Sequence, residues 1–278
     1  MNHLKPADIL EASVSAGVAK GNGSFSKLFI MGIMAGAYIA FAGTASNMGG
    51  FNLLMSPETY GLGRLLAGTI FSGGLVLVIL AGAELFTGNS LITLAVLEKK
   101  TTVSKMLRNW VIVYIANFIG SFIIVWMVWK TGMFSAGDNM LGAFTVKVAA
   151  GKVNMEFFQC MLSGILFNWL VCLAVWCATG ADSTIGKIFS VFFPIWMFVT
   201  GGFEHSVANM YFIPAGILAS SNTHFISLSG VSAEALSNLT WKGMFLNNLL
   251  PVTIGNIIGG IIFVALGYWF VLKRSEKN

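Results

Sequence analysis

The spacing of charged residues is the strongest constraint this chain places on its own fold. No Asp, Glu, Lys or Arg lies between Lys27 and Glu58, Arg64 and Glu84, Arg108 and Lys130, Glu156 and Asp182, Lys187 and Glu204, or Lys242 and Lys273. These gaps approach or exceed the roughly 20 apolar residues that a helix needs to cross a bilayer core. Only 10% of the 278 residues are charged and 56% are hydrophobic, whereas soluble domains carry about 25% charged residues. A soluble enzyme is excluded, and six membrane crossings are predicted. The net charge of +5 does not point to nucleic acid, because the basic residues sit between apolar segments and form no stripe interleaved with aromatics. They report topology instead. With both termini cytoplasmic, only Arg64, Lys130, Lys147, Lys152 and Lys242 fall outside, and the other basic residues lie inside as the positive-inside rule requires. No cleaved signal is expected; residues 1–26 read as a cytoplasmic interfacial helix, amphipathic over Pro6 to Lys20.

Four runs fit single crossings: about 28–47, Trp110 to Trp129 with a tryptophan bracketing each end, about 157–178 and about 246–272. Gly32 and Gly36, or Gly255 and Gly259, are spaced for close helix contact. The second and fifth runs, Leu65 to Leu97 and Ile188 to Thr223, behave differently. As straight helices each would be roughly 50 Å long, too much for one crossing and too little for two. Both are therefore predicted to break around a glycine-flanked polar insert enclosed by protein. The inserts share a pattern: Gly82-Ala83-Glu84 then Asn89, and Gly202-Phe203-Glu204 then Asn209. The helices after them also match, Asn117-Phe118-Ile119-Gly120-Ser121 echoing Asn256-Ile257-Ile258-Gly259-Gly260. Three crossings per copy force the second copy to be inverted in the membrane. The expected fold is an all-α polytopic membrane protein, a single transmembrane domain over 1–278 with broken helices 2 and 5. Residues 27–130 form the first repeat, 131–153 an external loop, 154–272 the second repeat and 273–278 a cytoplasmic tail. The loop and the 222–247 connection read as loops with short surface helices.

His205 is the sharpest functional candidate, because an imidazole at bilayer depth is costly unless it faces water, a partner or solute. The alternative is a neutral histidine that staples the break. Glu84 and Glu204 are read as structural, accepting backbone N–H groups freed where the helix unwinds. Thr87 and Ser206 either cap the half-helices or orient an anion, while Asn89 and Asn209 tie the broken chain together. Asn168 is interhelical glue or a hydrogen-bond partner of solute or His205. Lys152 could concentrate anions at an external pore mouth and Lys20 could act similarly inside, although snorkelling and topology are the simpler readings of each. Phe71, Leu75, Leu85, Phe86, Val171 and Phe198 are candidates for an apolar constriction. Cys160, Cys172 and Cys177 read as free thiols that fill space. No metal, cofactor or disulfide is expected.

These stretches resemble the formate/nitrite transporter family over roughly Lys20 to Trp269. The resemblance rests on Ala81-Gly82-Ala83-Glu84-Leu85-Phe86-Thr87-Gly88, on the run from Asn168 to Trp176, on Gly202 to Met210, and on Pro251 to Gly260. It implies an aquaporin-like six-helix protomer in a homopentamer, one pore per subunit, passing small monovalent anions or their conjugate acids. It also implies a central histidine at His205 with Asn168, Thr87 and Lys152 as pore residues and Glu204 beside them. The constriction would comprise Phe71, Leu75, Leu85, Phe86, Val171 and Phe198, and Lys20 would take part in gating. Gly88-Asn89 departs from the hydroxyl residues that some formate channels carry after the threonine.

An ionised carboxylate loses several kcal/mol or more on entering an apolar constriction, and the neutral acid far less. Formate is therefore expected to cross with a proton, as the acid or as an anion compensated by protonated His205. Nitrite and hydrosulfide are alternatives of the same class. A neutral-solute channel of aquaporin type would predict a pore arginine and paired Asn-Pro-Ala motifs, absent from both breaks. A membrane enzyme or sensor would need ligand clusters or a soluble domain. The expected setting is the inner (plasma) membrane, with lipid and protons as further partners.

Overall fold

The computed structural model describes residues 3–275, so most of the tail expected at 273–278 lies outside the described residues. Helix α1 (Pro6–Gly21) leads into α2 (Phe25–Met55) and α3 (Tyr60–Ala81). After the first break come α4 (Gly88–Leu97), which opens as a 3-10 turn, and α5 (Val103–Lys130). The second half repeats the order with α6 (Met140–Val153), α7 (Phe157–Gly180), α8 (Thr184–Gly201) and α9 (Ser206–Ala219). Two short helices, α10 (Thr223–Ser229) and α11 (Ala233–Ser237), precede α12 (Trp241–Lys273). Six of these, α2, α3, α5, α7, α8 and α12, are long and apolar enough to cross a membrane. Their outward faces expose Ile30, Leu62, Val111, Trp126, Phe158 and Ile185, a display that water would penalise and hydrocarbon would not. The chain is an integral membrane protein.

Local chemistry explains where these elements start and stop. The side chains of Ser24, Thr102 and Ser183 each accept the backbone N–H three residues on, capping α2, α5 and α8. Both α3 and α8 end where a glycine takes a left-handed conformation, Gly82 and Gly202 each at φ 79°. Only glycine adopts this without strain, so the same residue type breaks both helices. Within each half the first crossing runs against the third: a Cβ on Gly36 would strike the Asn117 carbonyl, and one on Gly255 the Met161 carbonyl. Across the halves, α3 packs on α8 and α5 on α9.

Three features differ from the sequence reading. Trp110 does not sit at an interface; it is buried, and its Nε1 donates to the Asn89 carbonyl at 3.0 Å. The span 131–153 holds a packed helix, because Ala143, Val146, Ala149 and Val153 recur at helical spacing and bury against α9. Helix α1 likewise buries Ile9, Leu10 and Val14 in a cluster with Leu94, Ala95, Cys172, Trp176 and Val264. The internal equivalence therefore includes α1 and α6 as well as the crossings.

Candidate functional site

Unwinding a helix inside a membrane exposes backbone groups that need partners. Glu84 N–H donates to the Met31 carbonyl at 3.2 Å and Glu204 N–H to Ser163 Oγ at 3.1 Å. Two residues on, Phe86 N–H donates to Asn117 Oδ1 and Ser206 N–H to Asn256 Oδ1, both at 3.0 Å. The same two asparagines donate through Nδ2 to the carbonyls of Gly32 and Glu84 in one half, and of Gly164 and Glu204 in the other. Each break is thus closed by an asparagine from the third crossing of its own half. The glutamate carboxylates do not accept the freed backbone N–H groups, contrary to expectation.

Those carboxylates anchor side chains instead. Glu84 Oε2 accepts from Lys20 Nζ at 2.8 Å and Asn89 Nδ2 at 2.8 Å. Glu204 accepts from Lys152 Nζ at 2.6 Å, Asn209 Nδ2 at 2.6 Å and Asn248 Nδ2 at 3.1 Å. Asn89 and Asn209 reach on to Asn109 Oδ1 and Asn248 Oδ1, at 2.8 and 2.7 Å. The last links close on the lysines' own backbone, Asn109 Nδ2 to the Lys20 carbonyl and Asn248 Nδ2 to the Lys152 carbonyl. Lys152 is therefore not a free cation at a pore mouth, since its charge is neutralised in contact.

His205 is 3% exposed. Its ring stacks on Phe167 with centroids 4.2 Å apart and meets Phe198 edge-on at 6.2 Å. Nε2 lies 3.4 Å from Thr87 Oγ1, so the breaks of the two halves meet through this pair, either atom donating according to the tautomer. Nδ1 has no protein partner among the described residues. Asn168 binds elsewhere: its Nδ2 donates to the carbonyls of Thr87 and Asn256 and to Ser90 Oγ. It ties α7 to the first break and to α12, where the backbone is about to pass into a π-helical stretch at Gly259–Leu266. Neither Thr87 nor Ser206 caps its helix through the side chain.

Two cavities meet at the imidazole. One, of about 210 Å³, is lined by Lys152, Glu204, Arg64, Asn47, Phe212 and His205 among others. The second, of only about 10 Å³, is lined by Phe71, Leu75, Leu85, Val171 and Phe198 with Ile39, Ile195 and His205. Five of the six expected constriction residues are thus brought together. Phe86 is not, because its ring packs edge-on against Trp110 and Tyr114 at 6.1 and 4.8 Å. A third cavity, about 40 Å³, lies at the Lys20 end between α1, α4 and α7. Among the described residues no group of three or more His, Cys, Asp or Glu is placed to hold a metal ion.

The sequence reading passed over Arg64 and Asn47 as site residues, and over Asn109 and Asn248. The last two had a signal: N-x7-N occurs in α5 as Asn109 and Asn117 and in α12 as Asn248 and Asn256.

A sequence model of the formate/nitrite transporter family matches residues 7–270. The chain is 39% identical to a probable formate transporter of Methanothermobacter thermautotrophicus, the match covering 97% of each chain. It is 36% identical to the formate channel FocA of Escherichia coli K12, over 99% of this chain and 96% of that one. Among solved structures it is similar to a pentameric formate channel with formate bound, TM-score 0.79 and 34% identity over 89% of this chain and 97% of the other. An FNT family ion channel gives the same TM-score at 29% identity, over 95% and 98%.

Proposed function

Since the chain belongs to the formate/nitrite transporter family, we propose that it is a channel for small monovalent weak-acid anions, formate foremost, which it moves together with a proton at His205. The observation that carries this reading is the position of the imidazole. It is the polar side chain shared by a polar vestibule and an apolar pocket barely wide enough for one water. Formate is the solute named for several relatives, and it is small enough for such a passage.

The chemistry follows from desolvation. Moving formate from the vestibule into the ring of Phe71, Leu75, Leu85, Val171 and Phe198 strips water from a carboxylate, at a cost of several kcal/mol. Transfer of a proton to a carboxylate oxygen removes most of that cost. His205 in its imidazolium form supplies it from a ring N–H and becomes neutral, and an excess proton relayed through vestibule water restores the imidazolium; the acid gives its proton back to water on the far side. Thr87, held with Asn168 at the first break, fixes the ring's orientation. Lys152, Glu204, Asn209 and Asn248 hold the backbone that presents the ring, and Lys20, Glu84 and Asn89 do the same at the other break. Lys20 ends α1 at the cytoplasmic mouth, where displacement of α1 would gate the pore. The Lys20 side faces the cytoplasm and the Lys152 side the exterior of the plasma membrane, as the distribution of cations favours. The working assembly is a homopentamer, and the exposed apolar faces of α2, α5 and α7 supply surface for it and for lipid.

Nitrite and hydrosulfide share the size and charge that the pore reads, so they are expected to pass at lower rates. Purified protein in proteoliposomes, challenged with formate, nitrite, hydrosulfide, acetate and glycerol, tests the reading. Formate is expected fastest and glycerol at the rate of empty vesicles. Rapid glycerol entry with no formate flux would replace the proposal with a neutral-solute pore.

A further inference from the structure

The contact between Lys152 and Glu204 leaves the outer vestibule without a net charge from that pair, so another residue must provide one if anions are to collect there. Arg64, from the second turn of α3, lines the same cavity. Its Nε donates to the Thr200 carbonyl at 3.2 Å and its Nη2 to the Val199 carbonyl, at the C-terminal end of α8 where helix carbonyls lack partners. These bonds use two of the five guanidinium donors. No carboxylate among the described residues lies within salt-bridge distance of it. Asn47, 6% exposed, lines this cavity too, and its Nδ2 has no partner among the described residues. A buried amide N–H₂ with nothing to donate to is unfavourable, and an acceptor in the cavity would relieve it.

The opposite mouth lacks both groups. Counting back from Gly82 and Gly202, the counterpart of Arg64 is Thr184; counting on from Gly32 and Gly164, the counterpart of Asn47 is Thr179. The Thr179 hydroxyl donates to the Val175 carbonyl of its own helix at 2.8 Å. The lysine and glutamate pairs are duplicated and each is neutral; the arginine and the orphan amide are not duplicated.

We propose that Arg64 and Asn47 form an anion-holding station in the outer vestibule, where a small monovalent anion waits before it meets His205. Arg64 rather than Lys152 supplies the net charge of that mouth. A guanidinium with donors to spare suits a carboxylate or nitrite, and its bonds to α8 keep it rigid over the cavity. This station builds on the anion-channel reading above.

The test is formate influx into proteoliposomes across a range of formate concentrations at low ionic strength. Arg64→Gln is expected to raise the half-saturating concentration about tenfold and to flatten its salt dependence. Arg64→Lys should recover most of that loss, and Asn47→Leu should raise half-saturation about threefold, as loss of one hydrogen bond would. Maximal rates should stay within about twofold in all three. Wild-type half-saturation in Arg64→Gln, or a fall in maximal rate alone, would overturn the station and leave Arg64 as a clamp on the end of α8. If Arg64→Gln does not insert, an unaltered half-saturation in Asn47→Leu overturns it equally. Wild-type vesicles that pass nitrite but no formate would dispose of formate as solute, and the same variants would then be read with nitrite. Vesicles that pass neither would overturn both proposals.

Discussion

The two helix breaks are built from the same parts and differ in the residues that follow the glutamates. Glu84 and Glu204, Asn89 and Asn209, Asn109 and Asn248, and Asn117 and Asn256 occupy matching places in two nearly identical networks. Counted from those glutamates, His205 has Leu85 as its twin and Thr87 has Val207. The polar pair His205 and Thr87 thus lies opposite an apolar pair, Leu85 and Val207, related to it by the same internal symmetry. The hydrogen-bonded scaffold occurs at both breaks, and the imidazole at one. A second imidazole in so small an apolar pocket would carry a second desolvation cost, which gives the asymmetry a physical reason.

Removing the anchors should produce the largest effects. Glu204→Leu leaves Lys152, Asn209 and Asn248 without their acceptor in a largely buried network. It should destabilise the protein by about 3–5 kcal/mol, read from thermal unfolding in detergent. Glu84→Leu should cost less, because Lys20 is 33% exposed in its pair against 16% for Lys152, and water can take over. Equal losses would contradict the difference in burial. Next come Asn117→Leu and Asn256→Leu, each leaving a backbone N–H and the carbonyl of Glu84 or Glu204 without the asparagine, for about 1–3 kcal/mol. The two should agree within about 1 kcal/mol, and a larger gap would show that the breaks are not equivalent. The smallest effect is expected from Thr87→Val, which makes the first break match its twin. Loss of a contact worth about 1 kcal/mol should slow formate flux about fivefold and lower stability by no more than about 1 kcal/mol. Unchanged flux would detach Thr87 from the imidazole.

Much of this was legible in the sequence, for reasons that vary by residue. Crossings follow from charge-free length, and the breaks from Gly82 and Gly202 in runs too long for one helix. His205 stood out because a titratable ring is rare at that depth. Lys152 was visible, but its partner was not: sequence distance hides a contact between α6 and the second break. Phe86 does not line the small pocket with the other five, and apolar residues carry no sign in the sequence of which way they face; here the Asn117 bond to its backbone accompanies a ring packed on Trp110 and Tyr114. Arg64 read only as a topology marker, since its role depends on the end of α8 arriving beside it. Helix α6 was masked by its position between the repeats, although its alanine and valine spacing carries a clear apolar face.

The account rests on proton transfer at His205, and counting protons against solute tests it most directly. Isotopic formate influx and lumenal pH can be followed together in proteoliposomes holding an entrapped dye, for the wild type and for His205→Leu, at equal insertion. The account predicts a proton entering with each formate in the wild type and at least a tenfold loss of flux in His205→Leu. Formate entering as an uncompensated charge, at the same rate in both proteins, would contradict it.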